Sequence, residues 1–292
     1  MMPPQADAEA VTLARSRFPR GLLQPEGSFR FAMDALLLAR FALPPETSRE
    51  QSVADLGTGC GVVALALLLD ALPGTPGTQC PQAAPDSEKP TRAQRRAFMH
   101  ATGVDIDPLL CEAATYNAAA LGLADRFAVH TLNLTEVRDI LSAESFDLVV
   151  TNPPYRRADQ GRHAATERRT RALFETDGSL ETFVRAGGFL VRNRGRFCCI
   201  YPAERLAALL TACTAARLEP KRLRMVHSKP DRDAALVLLE ARKNAQPGCV
   251  TEPPLILYAG QGEATALTRE ALEFCPHLAC NARGHYQYGD PA

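Results

Sequence analysis

Nothing in the sequence runs to the roughly 18 consecutive apolar residues that a membrane-spanning helix needs. Its first ten residues, MMPPQADAEA, lack the basic-then-apolar order of a signal peptide, so a cytoplasmic protein is expected, with no membrane partner. Paired cysteines are missing too. Nine cysteines, an odd number, are scattered without a C-x-x-C pair and read as reduced thiols. The one group of metal-capable atoms, Cys275-Pro276-His277 with Cys280 and His285, matches no zinc spacing, and no metal is expected. Net charge is absent as well: 33 basic residues balance 33 acidic ones, so any attraction for a polyanion must come from a local basic surface. What is present suits a globular chain with a full core, since 292 residues at 46% hydrophobic and 23% charged allow one large domain or two small ones.

Residues 1–17 show no apolar periodicity and read as a flexible tail, with order expected from Phe18. Between 27 and 41 an aromatic approach leads into a helical face carried by Leu37, Leu38 and Phe41. Asp34 stands out there. It is either a first-turn acid that complements the helix macrodipole or a group that closes over a bound ligand. A short strand at 52–56 then runs into Gly57-Thr58-Gly59-Cys60-Gly61 and an apolar helix at 62–69. Glycines at alternate positions let the backbone take positive φ and approach a ligand, while the helix start presents free N–H groups. A plain tight turn or a dinucleotide fold would share part of this pattern. The spacing is G-x-G-x-G, however, and Asp55 precedes it; an acid there repels a pyrophosphate yet suits the ammonium of a methionine moiety, which favours S-adenosyl-L-methionine over NAD.

Residues 70–99, punctuated by Pro73, Pro76, Pro81, Pro85 and Pro90, read as an inserted loop. Beyond it the next strand ends at Asp105, placed to hold ribose hydroxyls, and Asp107-Pro108 start a helix that stops at Gly122. A third strand at 127–132 is followed by Asn133, and a fourth at 146–151 delivers Thr151-Asn152-Pro153-Pro154-Tyr155. That pentapeptide reads as the catalytic site, although Pro-Pro is also a common way to leave a buried strand. A conjugated amino group is a poor nucleophile because its lone pair is delocalised. Two aligned acceptors, the Asn152 side-chain carbonyl and the Pro153 main-chain carbonyl, would draw that lone pair out, while Tyr155 stacks on the planar face and Pro154 helps fix the backbone. The segment that follows carries Arg156, Arg157, Arg162, Arg168, Arg169 and Arg171. It is read as a substrate-facing loop suited to phosphates, against the alternative of a solvated face. Further alternation of helices at 179–191 and 203–218 with a strand at 195–202 ends in a hairpin of 221–227 and 234–241.

The stretches FRFAMDALLLARFA, DLGTGCG, GVDID, FDLVVTNPPYRR and KRLRMVHSKPDRDAALVLLEARK resemble the bacterial valine-tRNA (adenine-N(6)) methyltransferase family, within the S-adenosylmethionine-dependent NPPY amino methyltransferases. The resemblance implies an α/β, Rossmann-like class I methyltransferase fold: a seven-stranded, mostly parallel sheet with helices on both faces and a C-terminal antiparallel hairpin. It implies a methyltransferase domain over 18–260 with a C-terminal extension over 261–292. Asp34, Asp55, Gly57, Gly59, Gly61, Asp105 and Asn133 would bind S-adenosyl-L-methionine, with Asn133 near the adenine. The acceptor would be RNA, a tRNA adenine N6. Two other readings stay open: methylation of a protein glutamine, as in the release-factor enzymes that share NPPY, and a non-catalytic RNA- or protein-binding module.

Overall fold

The computed structural model describes residues 7–26, 31–43, 51–72, 99–154 and 179–281. Five strands run parallel: β1 (Gln51–Leu56), β2 (Met99–Asp105), β3 (Phe127–Thr131), β4 (Phe146–Thr151) and β5 (Val191–Pro202). β6 (Leu218–His227) and β7 (Ala234–Lys243) form the expected hairpin, with β7 antiparallel to both β5 and β6. The resulting order is β3-β2-β1-β4-β5-β7-β6, so the chain reverses direction across the sheet at β1. Open α/β sheets bind ligands outside the carboxyl ends of their strands at such a switch point.

The sheet departs from the expected seven strands. Two-residue strands β8 (Val250–Thr251) and β9 (Leu255–Ile256) each pair in parallel with β6, giving nine strands in all. β10 (Tyr258–Ala259) and β11 (Ala266–Leu267) form a separate small hairpin. Strands this short carry too few residues for a period of two to appear in sequence.

Helices cover both faces because the central strands alternate. Leu148 and Val150 of β4 join one buried cluster and Val149 the other; Cys198 and Ile200 of β5 divide from Phe197, Cys199 and Tyr201 in the same way. On the first face lie α2 (Met33–Ala42), α3 (Val62–Ala71) and α4 (Pro108–Ala120). On the second lie a one-turn α5 (Val137–Ile140), α6 (Leu180–Leu190) and α7 (Leu206–Ala215). α3 is apolar all round, and all ten of its residues are buried, as a helix enclosed by its neighbours requires. Its one charge, Asp70, is met by His277 Nε2 at 3.0 Å.

Two guanidiniums close the far end of α2. Arg222 Nη2 donates to Phe41 O (2.8 Å) and Arg196 Nη1 to Ala42 O (3.0 Å), placing positive charge on carbonyls that a helix end leaves unpaired. Both arginines also reach Glu240 Oε2 at 3.0 Å.

Both segments that the sequence reading sets outside the methyltransferase domain contain described helices. Within the expected tail, α1 (Ala8–Arg17) is a helix capped by Asp7, whose Oδ1 accepts from Ala10 N at 2.7 Å. None of its residues is fully buried; Ala14 packs partly buried against the core, and Arg15 Nε donates to Leu121 O (2.8 Å) beyond the end of α4. At the other end, the expected extension includes α8 (Arg269–Phe274) and the short turn Pro276–Asn281, and Ala271, Cys275 and Leu278 belong to the same cluster as α2 and α3. Arg40 Nε donates to Phe274 O at 2.7 Å, so α8 and the turn after it dock on the main core. Most of the Pro-rich loop, residues 73–98, and the end of the chain from 282 lie outside the described residues.

Candidate active site

The site is assembled where β1 and β4 leave the sheet together. Leu56 pairs with Thr151, and Thr151 Oγ1, fully buried, donates to Leu56 O at 2.9 Å. This tether sets Asn152, Pro153 and Pro154 alongside Gly57. Pro153 is buried, and Asn152 and Pro154 are half-buried. Tyr155, together with Arg156, Arg157, Arg162, Arg168, Arg169 and Arg171, lies outside the described residues.

All three glycines of the turn have left-handed φ: +71° at Gly57, +56° at Gly59 and +88° at Gly61. Two of them also lack room for a side chain. A Cβ on Gly57 would stand 2.9 Å from the Phe183 ring, and one on Gly61 3.0 Å from the Phe127 ring. Gly59 differs, because a Cβ there would meet nothing within 4 Å. The turn is therefore open at Gly59. Its N–H donates to Asp105 Oδ2 at 2.8 Å, which brings the end of β2 to that opening.

Asp105 accepts a second N–H, from Asp107, on Oδ1 at 3.0 Å. Burial pushes its carboxyl above the usual carboxylate range, against the pull of these two N–H groups. Each oxygen keeps a lone pair for a further donor. Asp107 caps α4 as expected, accepting from Leu109 N at 2.9 Å.

Asp55, expected to bind the methionine ammonium directly or through water, is only 1% exposed, and Oδ2 accepts from Thr58 Oγ1 (2.8 Å) and Ala64 N (3.2 Å). It braces the turn against the first turn of α3. Burial pushes its carboxyl to about 7. Asp34 lies in the first turn of α2, buried, with Oδ1 accepting from Ala35 N at 2.8 Å. Asn133 ends the β3 segment and caps the turn Leu134–Glu136, its Oδ1 accepting from both Thr135 N and Thr135 Oγ1 at 2.9 Å.

Three supporting residues escaped the sequence reading. Asn117 of α4, 1% exposed, donates through Nδ2 to Cys60 O inside the glycine turn and to Leu23 O, both at 3.0 Å. Gly103 lets β2 pass beneath Thr58, since a Cβ there would be 2.9 Å from that side chain. Phe183 packs under Gly57. A buried Asn in a helix was the one signal available beforehand, and its partners are more than 50 residues away.

Among the described residues no helix is long and apolar enough to cross a membrane, and no group of three or more His, Cys, Asp or Glu is placed to hold a metal. Cys275 and His277 have other partners, Leu36 O and Asp70.

A doubly wound sheet with a glycine turn at its switch point, an acid ending the next strand and Asn-Pro-Pro on the neighbouring one defines a Rossmann-like class I methyltransferase. Solved structures agree on the fold: a predicted O-methyltransferase from Agrobacterium tumefaciens superposes with a TM-score of 0.60 at 20% identity, covering 84% of this chain and 96% of that one. The family model for UPF0020, the RMKL-like methyltransferase domain, matches residues 57–234, more than half of the chain, and the protein belongs to that family. Among curated relatives, the tRNA1(Val) (adenine(37)-N6)-methyltransferase of Porphyromonas gingivalis is 29% identical over 218 residues, covering 74% of this chain and 75% of that protein. A release factor glutamine methyltransferase from Cereibacter sphaeroides is 30% identical over 148 residues, half of this chain and 39% of that one.

Proposed function

We propose that the protein is an S-adenosyl-L-methionine-dependent methyltransferase that acts on adenine N6 of a tRNA. The observation that carries this reading is the Thr151–Leu56 tether, which fixes the Asn152-Pro153 acceptors beside the open glycine turn.

The residues present fit the cofactor. Gly59 leaves the turn uncovered, Asp105 offers two oxygens with spare lone pairs to a pair of ribose hydroxyls, and Asn133 stands at the next strand end for the adenine. Asp55 holds the turn in shape, and Asp34, at the start of α2, closes over the methionine end. Bound there, the cofactor supplies an electrophilic methyl group on sulfonium sulfur. The protein's part is to prepare the nucleophile. Asn152 Oδ1 and Pro153 O each accept one N–H of the adenine amino group, which turns its lone pair out of the ring plane and toward the methyl carbon. Pro153 and Pro154 restrict the backbone around those acceptors before substrate arrives. Tyr155 stacks on the base, and the arginines from Arg156 to Arg171 take phosphates. An adenine stacked in a tRNA loop must first be turned out, at a cost of a few kcal/mol that these contacts offset.

Transfer of a labelled methyl group from S-adenosylmethionine to fractionated tRNA, rRNA and protein tests the reading. Label recovered as N6-methyladenine in tRNA is expected. Label confined to protein would replace tRNA by a glutamine amide, the planar NH₂ acceptor of the release-factor relative, and leave the chemistry at Asn152 unchanged.

A further inference from the structure

One feature of the second face has no part in the methyl-transfer site. A cleft of about 310 Å³ opens between α6 and the segment that follows Asn133. Leu134 and Ala186 share its lining with Thr135 and Thr182, and two arginines enter it from different elements, Arg138 from α5 and Arg185 from α6. Among the described residues no acid lines it.

These arginines are charged, exposed and unmatched. Arg192, Arg196, Arg222, Arg224, Arg242 and Arg269 each have a carboxylate within 3.6 Å, whereas Arg138 and Arg185 have none among the described residues. Arg138 is nevertheless held in place, with its guanidinium 5.0 Å from the centroid of the Phe189 ring. Stacking of that kind orients the planar fork and leaves its N–H donors available. The position matters as well. Asn133 directly precedes the first lining residue, and Phe183, whose ring abuts Gly57, lies two residues before Arg185 on the same helix. The cleft runs along the outer side of α6, from Thr182 near its start to Arg138 against Phe189 near its end.

Two guanidinium forks in a cleft lined by both apolar and threonine side chains fit a sugar-phosphate unit: the forks take the phosphate oxygens, and the lining takes the ribose carbons and hydroxyls. We infer that Arg138 and Arg185 bind a backbone phosphate of the RNA substrate, outside the pocket that receives the target base; this rests on the tRNA reading above.

The test uses the full chain, with tRNA and S-adenosylmethionine. R138Q/R185Q should raise KM for tRNA about tenfold and reduce the slope of log affinity against log salt by about 1, the value for one phosphate no longer neutralised. Cofactor affinity, measured by calorimetry, should not change. R138K/R185K keeps both charges without the forks, so the salt slope should survive while KM still rises. Should the glutamine pair fail to fold, the lysine pair decides the matter through that split. If the wild-type chain methylates tRNA and the substituted chains keep its KM and salt slope, the phosphate site is disproved and the tRNA reading stands. A wild-type chain that neither binds nor methylates tRNA removes both.

Discussion

At the end of β1, Asp55 is buried among uncharged donors, while on the β5–β7 side Glu240 is buried to a similar degree among arginines. Burial, against hydrogen bonds from Thr58 and Ala64 and helped by the nearby Asp105, pushes Asp55 to about 7. Burial pushes Glu240 up too, but Arg196, Arg222 and Arg242 outweigh it and hold that carboxyl below its ordinary value. The charge of Glu240 is thereby settled inside the protein, and its purpose is mechanical: it aligns the guanidiniums that close α2. Around the glycine turn the acids are held by N–H and O–H groups and by no cation among their hydrogen-bond partners, which leaves electrostatic room for a ligand.

The largest effect should come from breaking the settled side. Glu240→Gln leaves Arg196 and Arg222 without their shared carboxylate and should cost about 3–5 kcal/mol, the range for disrupting a buried pair. Urea unfolding measures it; a loss below about 1 kcal/mol would mean that the two sites do not differ as argued. Next in size is the pH dependence carried by Asp55. With a folded value of about 7 and an unfolded one of about 3.9, its contribution is complete below about pH 4 and is lost as pH rises to about 7, because over that span only the folded chain holds the proton. Three units correspond to at most about 4 kcal/mol. Unfolding curves for the cofactor-free chain and for Asp55→Asn, compared between pH 4 and 8, should differ by that slope; parallel curves would remove the contrast with Glu240. Asn152→Ala should slow methyl transfer about 100-fold or more with cofactor affinity nearly intact, as for loss of one preorganised donor–acceptor contact. Normal turnover with weakened cofactor binding would reverse that assignment. Smallest is Asp105→Ala, expected to weaken S-adenosylmethionine binding by about 1–3 kcal/mol in calorimetry. Unchanged affinity would take Asp105 out of the site.

The elements were legible where local chemistry alone determines them. β4 occupies 146–151 as read, because an apolar run interrupted only by Asp147 gives way after Thr151 to Asn-Pro-Pro, and Gly122 ends α4 with φ +63°. The mostly parallel sheet was what the family resemblance implied, and the alternation of strands with helices agrees with it. Long-range polar pairings were hidden. Arg196 and Glu240 are 44 residues apart and Asn117 and Cys60 57, and no spacing rule connects them. α1 was missed because it offers only the partly buried Ala14 to the core and is otherwise tied down by polar contacts such as Arg15 to Leu121 O.

The docking of the C-terminal segment has a consequence for synthesis. Cys275 Sγ reaches Leu36 O across 239 residues of chain, and Ala271 and Leu278 cover the same apolar surface. At the usual 5–20 residues per second the ribosome takes roughly ten to fifty seconds to pass from one to the other. Throughout that interval α2 is already made, and the part of its leucine-rich surface destined for those residues has no cover. Until residues 271–278 emerge, the nascent chain therefore carries an apolar helix surface with part of its cover missing.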